Sequence, residues 1–445
     1  MKMIDRYYFI GIGGIGMSSL AKYLFYKGNL VSGYDKTKGF ITEELNEEGI
    51  QVVYKDSIEA IPEKFKLKGT KIIYTPAIPN DNIQLNYFIH NDFEVKKRSY
   101  LLGNITKDSK VFAIAGTHGK TTTSAILCHM CNSIKLNFTA FLGGIANGFN
   151  SNLISNGNEF SIVEADEYDR SFLELYPTFS CITSMDADHL DIYGNKSNLV
   201  EAFKEFSKRT KKHLLVAKGL PIKGITFSLD QKADYYATNI LQNNLGYKFD
   251  FHTPSSIYRN IELNIIGRYN LLNAIAASAM IDLAEIPLND ALNSLKYFKG
   301  LKRRIEIFEI GGKVIIDDYA HHPTEINSVF NAINERYLNK KKAVIFQPHL
   351  FSRTRDFINE FADSLSQFDE IYLTEIYPAR EKPISGINSK KLISKIKNSS
   401  KKIVFKGDIE NTIKESKANL FAILGAGDIG EEIEKLKIKY KVYEN

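Results

Sequence analysis

Only three cysteines occur among the 445 residues, Cys128, Cys131 and Cys181. Three irregularly placed thiols cannot build a disulfide framework, so a reducing compartment is expected. No run of about 18 apolar residues is present, and no membrane-spanning helix is expected. The segment YYFIGIGGIGM reaches a glycine turn before the apolar stretch of an export signal could form. These absences predict a cytoplasmic protein. Concentrated charge is missing as well: 58 Lys and Arg against 52 Asp and Glu leave a formal charge of +6, spread along the chain. Without a basic arm or stripe, no nucleic-acid partner is expected. The small positive excess suits anionic substrates, but a solvated surface accounts for it equally well. Solenoid-type repeats are absent too, and the Lys-rich pieces near Lys390 and Lys435 read as exposed helix faces.

What is present is the balance of a globular chain, with 25% charged and 44% hydrophobic residues. At about 100 to 200 residues per domain, two or three cores are expected. Three starts are visible. YYFIGI, LVSGYD, QVVY and KIIYTPAI alternate with helix-length stretches, the pattern of a parallel sheet. SKVFAIAGTHGKTTTSAILCHM begins a second strand–turn–helix unit, and KVIIDDYAHHPTE a third, followed by the strands KKAVIFQP, DEIYLTEIYP, KKIVFKG and FAILGAGD. The prediction is an α/β protein of three domains in series, residues 1–104, 105–298 and 299–445.

Gly11, Gly13 and Gly16 form G-x-G-x-x-G directly after the strand YYFI, where absent side chains let the backbone close on a phosphate at a helix N-terminus. Asp35, after the next strand, is placed to take a ribose hydroxyl; a dinucleotide dehydrogenase remains an alternative from this loop alone. Gly116-Thr117-His118-Gly119-Lys120-Thr121-Thr122 offers backbone N–H groups to cradle phosphates, a lysine for the β/γ oxygens and a hydroxyl for Mg²⁺. It departs from the strict phosphate-loop pattern, since Ile114 stands where the first glycine belongs. The strand FSIVEA then delivers Glu164, Asp166, Glu167 and Asp169, carboxylates that repel one another unless a cation is near, and Glu164 with Thr121 makes an oxygen site suited to Mg²⁺. A second strand end carries Asp186, Asp188, His189 and Asp191, and a third carries Asp317, Asp318, His321 and His322 before Pro323. Adjacent histidines without a thiolate cluster argue against zinc at the last of these. Cys128 and Cys131 form C-x-x-C inside a helix, with no second pair, and are expected to be buried. In FQPHLFSRTRDF, His349, Arg353 and Arg355 follow a strand, where a guanidinium could hold a carboxylate by a bidentate pair or simply form surface ion pairs.

Taken in order, GIGGIGM, GTHGKTTT, EADEYDRSFL, DADHLDIYG, GRYNLLNA, LKRR, DDYAHHPTE, FQPHLFSRTRD and LGAGDIG resemble the Mur ligases, from about Gly11 to Gly430. The resemblance implies an N-terminal Rossmann-like UDP-binding domain, a central P-loop ATPase-type domain and a C-terminal Rossmann-like domain. It implies joining of L-alanine to the carboxylate of UDP-N-acetylmuramate with ATP and Mg²⁺, through an acyl phosphate, in peptidoglycan synthesis, by a monomer or weak homodimer. Gly11, Gly13, Gly14, Gly16, Asp35 and Thr75 would then hold the UDP-sugar. Gly116 to Thr122, Asn270, Asn273, Asp318 and His321 would serve ATP, with Thr121, Glu164 and His189 on metal. Lys120, His189 and Arg304 would act on the transferring phosphate, and Tyr319, His349 and Arg353 would receive the amino acid. Leu350 departs from the arginine many relatives carry after QPH; Lys204 lies at a suitable distance after His189 for the carbamylated lysine of some Mur ligases, but members of this branch generally do without that modification. The related ligase that attaches an intact tripeptide to the same sugar is the nearest alternative; GIGGIGM in place of a bulkier loop argues against it.

Overall fold

The computed structural model describes residues 4–186, 193–379 and 381–442. The chain packs as two units: residues 1–241, 248–263 and 272–299 form one, and 242–247, 264–271 and 300–445 the other.

In the first unit, the early apolar runs become β1 (Arg6–Ile10), β2 (Leu30–Tyr34), β3 (Gln51–Val53) and β4 (Thr70–Tyr74), joined by β5 (Glu94–Lys97). All pair in parallel, in the order 3-2-1-4-5. Tyr7 and Phe9 enter one hydrophobic cluster, Tyr8 and Ile10 another. That alternation marks a strand buried on both faces, which is why β1 reads as one apolar run. Because the order reverses on either side of β1, the glycine loop after it opens at a switch point, the usual ligand position of such sheets.

A ten-stranded sheet follows, ordered 15-14-13-12-11-10-6-9-7-8, in which β11 (His213–Ala217), β12 (Ile225–Ser228), β13 (Tyr235–Gln242), β14 (Tyr247–His252) and β15 (Ile257–Leu263) make one flank. Its centre is β6 (Lys110–Ala115), flanked by β9 (Phe160–Ala165) and β10 (Phe179–Ile182), all parallel. Phe112 stacks between Phe160 at 5.5 Å and Phe179 at 5.1 Å. Each such pair adds about 1 kcal/mol beyond area burial. These three strands therefore end side by side, and the loops that leave them carry the motifs picked out above. Next to β9 runs β7 (Phe138–Ala146), paired antiparallel with β8 (Ser151–Ser155). From β8, the Asn152 amide donates to Ile15 O at 2.7 Å and to Ser18 Oγ at 2.8 Å, tying the ten-stranded sheet to the helix Ile15–Tyr26 of the first. Cys128, Cys131 and Cys181 are buried.

Gly103, in the helix Arg98–Thr106, marks a second close approach: a methyl group added there would stand 2.2 Å from the Glu174 carbonyl oxygen. Helix propensity alone predicts that Gly103→Ala stabilises by about 1 kcal/mol. Overpacking against a carbonyl predicts the reverse, a loss of about 1 to 3 kcal/mol. Urea denaturation is expected to give the loss.

The second unit carries a six-stranded sheet ordered 16-17-21-18-19-20. β16 (Glu306–Ile310) and β17 (Lys313–Asp318) form an antiparallel hairpin whose turn, Gly311-Gly312, has φ of 56° and 77°. Both values lie in the left-handed region that a tight hairpin turn requires. The other strands, β18 (Lys342–Phe346), β19 (Glu370–Leu373), β20 (Lys401–Ile403) and β21 (Leu420–Leu424), pair in parallel. Among the described residues, no helix is long and apolar enough to cross a membrane.

Candidate active site

The loop Gly116–Gly119 leaves β6 and enters the helix Lys120–Ser133. Gly116 has φ 135°, and an added methyl would fall 2.1 Å from Thr183 Oγ1; Gly119 has φ 82°, and its methyl would fall 2.6 Å from Asn273 Oδ1. Neither position accepts a side chain, so the loop is shaped by its neighbours as much as by its own turn. Ser184, beyond β10, braces it: its hydroxyl accepts from the His118 N–H at 2.7 Å, and its carbonyl accepts from the Thr117 N–H at 3.3 Å. His118 Nε2 lies 3.2 Å from Asp186 Oδ2. What faces outward is the first turn of a helix, whose N–H groups have no intrahelical acceptors and favour an anion.

Lys120 reaches back over this loop. Its Nζ donates to Gly116 O at 2.6 Å and to both Glu167 oxygens, at 3.0 and 2.8 Å. Glu167 has no exposed surface. Burial works against the ammonium charge, but Glu167 and the neighbouring Asp166 and Glu164 outweigh it and hold the lysine above its ordinary value. A buried cation and a buried carboxylate each require the other.

Glu164, at the end of β9, is fixed from two sides: Oε1 accepts from the Gly143 N–H at 2.6 Å and Oε2 from Thr121 Oγ1 at 3.1 Å. A methyl at Gly143 would stand 2.5 Å from both carboxylate oxygens. A hydroxyl and a carboxylate oxygen next to a phosphate loop are hard donors of the kind Mg²⁺ takes, usually one or two from protein with the rest from water and phosphate. The Thr121 and Glu164 donor set fits that ion. His189, Asp188 and Asp191 lie outside the described residues.

At the other glycine loop, Asp35 also braces the backbone: Oδ2 accepts from the Gly13 N–H at 2.8 Å and Oδ1 from the Thr37 N–H at 3.0 Å. The carboxylate closes the loop onto the end of β2. Thr75 packs against Gly11, whose added methyl would meet Thr75 Cγ2 at 2.8 Å and Ile78 Cδ1 at 3.2 Å. A cavity of about 320 Å³ joins this loop to the phosphate loop: Gly14, Gly16 and Thr75 line one side, Lys120 and Glu164 the other, with Arg98 between.

The second unit gathers the remaining candidates. The guanidinium of Arg304 lies 5.2 Å from the Tyr319 ring centre, Tyr319 is 5.4 Å from His321, and His321 is 5.7 Å from His349. Arg353, buried, points Nη1 toward His349 Nδ1 at 3.4 Å. Leu350 caps the helix Phe351–Asp356, which carries Arg353, with φ 69°. Asp318 accepts from the Ile305 N–H and the Ala320 N–H, both at 2.8 Å. Asn270 spends its amide on Ile266 O at 2.8 Å.

Beside Asp318, Asp317 has no exposed surface, and among the described residues its Oδ2 has no hydrogen-bond partner. Burial pushes its carboxyl up to about 6, against the pull of Arg303, whose Nε lies 3.4 Å from Oδ1. Between pH 4 and 6 the folded chain keeps a proton that the unfolded chain releases, so this contribution to stability is present at low pH and is lost as pH rises through about 6. Asp317→Asn removes the titration. Its stability relative to the parent is expected to improve by roughly 2 to 3 kcal/mol between pH 4 and 7, checked by denaturation at both.

Arg98, Gly143, Glu167 and Ser184 were not singled out as site residues by sequence reasoning. Only Glu167 carried a signal, as one of the four acids at and just beyond the end of β9.

Three family descriptions match successive parts of the chain: the Mur ligase family catalytic domain at residues 6–110, the Mur ligase middle domain at 114–281, and the Mur ligase glutamate ligase domain at 303–428. A UDP-N-acetylmuramate–L-alanine ligase of Flavobacterium psychrophilum is 49% identical over 441 residues, 98% of each chain. A protein of the same name from Porphyromonas gingivalis is 41% identical over 455 residues, 99% of each. The crystal structure of UDP-N-acetylmuramate-alanine ligase MurC from Thermotoga maritima superposes with a TM-score of 0.84 at 29% identity, over 99% of this chain and 100% of that one. A murein peptide ligase from Psychrobacter arcticus shares the fold, with a TM-score of 0.74 at 18% identity. Matched in all three of its domains and closely related to curated members over nearly its full length, the chain belongs to the Mur ligase family.

Proposed function

We propose that this protein joins L-alanine to the carboxylate of UDP-N-acetylmuramate, consuming ATP and releasing ADP and phosphate, in the cytoplasmic synthesis of peptidoglycan precursors. The observation that carries the reading is the single cavity lined by both the glycine loop Gly14–Gly16 and the phosphate-loop Lys120. It would bring the acid end of a nucleotide sugar to the terminal phosphate of ATP. Relatives named for this reaction, at up to 49% identity, support it.

A carboxylate acylates an amine only once its oxygen is made a leaving group. The sugar carboxylate attacks the terminal phosphorus of ATP, and the bond from that phosphorus to the bridging oxygen breaks, releasing ADP. The alanine amine then attacks the acyl carbon, the carbon–oxygen bond to phosphate breaks, and the amine gives up a proton. Lys120 and the helix N-terminus behind it would neutralise charge on the transferring group. Mg²⁺, held by Thr121 and Glu164, would bind phosphate oxygens and offset their charge. Arg304, Tyr319, His349 and Arg353 in the second unit are the proposed receivers of phosphate and amino acid, with Asn273 and Asn270 on the nucleotide.

Phosphate release with ATP, Mg²⁺ and UDP-N-acetylmuramate, compared among L-alanine, glycine, L-serine and the tripeptide, tests this directly. Release that requires both the sugar nucleotide and L-alanine supports the reading. Release with the tripeptide alone would transfer the enzyme to peptide recycling, and none at all would end the ligase assignment.

A further inference from the structure

Arg98 stands at the end of β5 and begins the helix Arg98–Thr106. The third glycine of the first loop makes room for it: a methyl group at Gly16 would lie 2.5 Å from Arg98 Nη1. On its other side, Nη2 reaches Asp166 Oδ2 at 3.2 Å, with the arginine side chain 20% exposed and the aspartate 35%. Both line the cavity between the two loops. Asp166 has further anchors, since Oδ1 accepts from the Tyr168 N–H at 3.2 Å and its carbonyl from the Phe172 N–H at 2.9 Å. Next door, Lys97 pairs with Asp169 at 2.7 Å, an ion pair that already links this strand end to the acidic loop.

The cavity thus holds two cations, and each is neutralised by a neighbour within one acidic loop: Lys120 by Glu167 and Arg98 by Asp166. A guanidinium half turned to an anion-favouring helix N-terminus and half to a solvent-reachable carboxylate is free to exchange partners. Its fork geometry suits the paired oxygens of a phosphate or a carboxylate.

We propose that Arg98 binds the nucleotide-sugar substrate directly, giving up its ion pair with Asp166 and pairing instead with an oxyanion of that molecule laid against Gly14 and Gly16. Asp166 is the internal anion that the substrate displaces. The proposal rests on the reading of a nucleotide-sugar acid as substrate and adds a residue and a competing charge to it. A purely structural strap between strand end and acidic loop would make the two partners equivalent. Substrate exchange makes them opposite.

The test is calorimetric binding of UDP-N-acetylmuramate and of UDP-N-acetylglucosamine, which lacks the lactyl acid, to the full-length protein. A non-hydrolysable ATP analogue and Mg²⁺ are kept saturating. Arg98→Ala is expected to weaken binding about 10- to 100-fold while the affinity for the ATP analogue holds. Arg98→Lys should recover part of the loss. Asp166→Asn, which keeps the acceptor for the Tyr168 N–H, is expected to tighten binding several-fold. Loss shared by both nucleotides assigns the contact to the diphosphate, and loss confined to the muramate assigns it to the carboxylate; either supports the proposal. Weakening by both Arg98→Ala and Asp166→Asn, or unchanged affinity in folded Arg98→Ala, overturns it. If Arg98→Ala does not fold, the sign of the Asp166→Asn effect decides. A parent protein that binds the glucosamine nucleotide but not the muramate refutes the substrate reading while leaving Arg98 testable on the diphosphate, and binding of neither removes both.

Discussion

Replacing Lys120 with alanine is expected to cut ATP-dependent phosphate release by about a hundred- to a thousandfold, the scale of losing a preorganised charge at a transferring group. The same change takes from Glu167, which has no exposed surface, the ammonium that both of its oxygens accept from. Breaking a buried ion pair by removing one partner costs about 3 to 5 kcal/mol, so activity and stability should fall together. The double variant Lys120→Met with Glu167→Gln separates the two effects. It is expected to regain most of the thermal stability and none of the phosphate release. Recovery of release in the double variant would mean that the lysine serves only the fold.

A change of one methyl group comes second in size. Gly143→Ala would put a carbon 2.5 Å from both oxygens of Glu164 and break the geometry of the 2.6 Å bond from the Gly143 N–H. Glu164 is the better placed of the two to yield, because a side-chain carboxylate turns more readily than the strand backbone, and turning would disturb its 3.1 Å bond from the Thr121 hydroxyl. A roughly hundredfold drop in turnover is expected, with the Mg²⁺ titration of activity displaced to higher concentration. An unchanged metal requirement alongside the slower rate would detach Glu164 from the metal and leave it a brace for the strand.

Why the two loops are legible in the sequence, and their supports are not, follows from distance along the chain. The glycines, Lys120 and Thr121 lie within one strand–turn–helix, so spacing alone exposes their chemistry. The partners that shape the loops come from elsewhere: Glu167 is 47 positions from Lys120, Gly143 is 21 from Glu164, and Asp166 is 68 from Arg98. Lys120 meets Glu167 through the parallel pairing of β6 with β9, Gly143 meets Glu164 through that of β7 with β9, and Arg98 reaches Asp166 from the helix after β5; no local pattern announces any of these. Strands β6, β18 and β21 stand out as continuous buried runs. β13 (Tyr235–Gln242) does not, since its exposed half dilutes the apolar signal. Asp35 shows what a motif leaves out: its position after the second strand predicts a ligand contact, while its two oxygens also accept from the Gly13 N–H of the glycine loop and the Thr37 N–H beyond β2.

The burial of Cys128, Cys131 and Cys181 has a practical side. Burial raises all three thiols above their ordinary range, so at neutral pH they present no thiolate to an electrophile. A maleimide dye added to the native chain should find nothing to label. Cysteines introduced at Tyr297, 67% exposed in the first unit, and Leu338, 70% exposed in the second, would be the sole reactive sites. The protein is in effect already a cysteine-light scaffold, on which fluorescence transfer between the two units can be followed as each substrate is added, with no native residue removed.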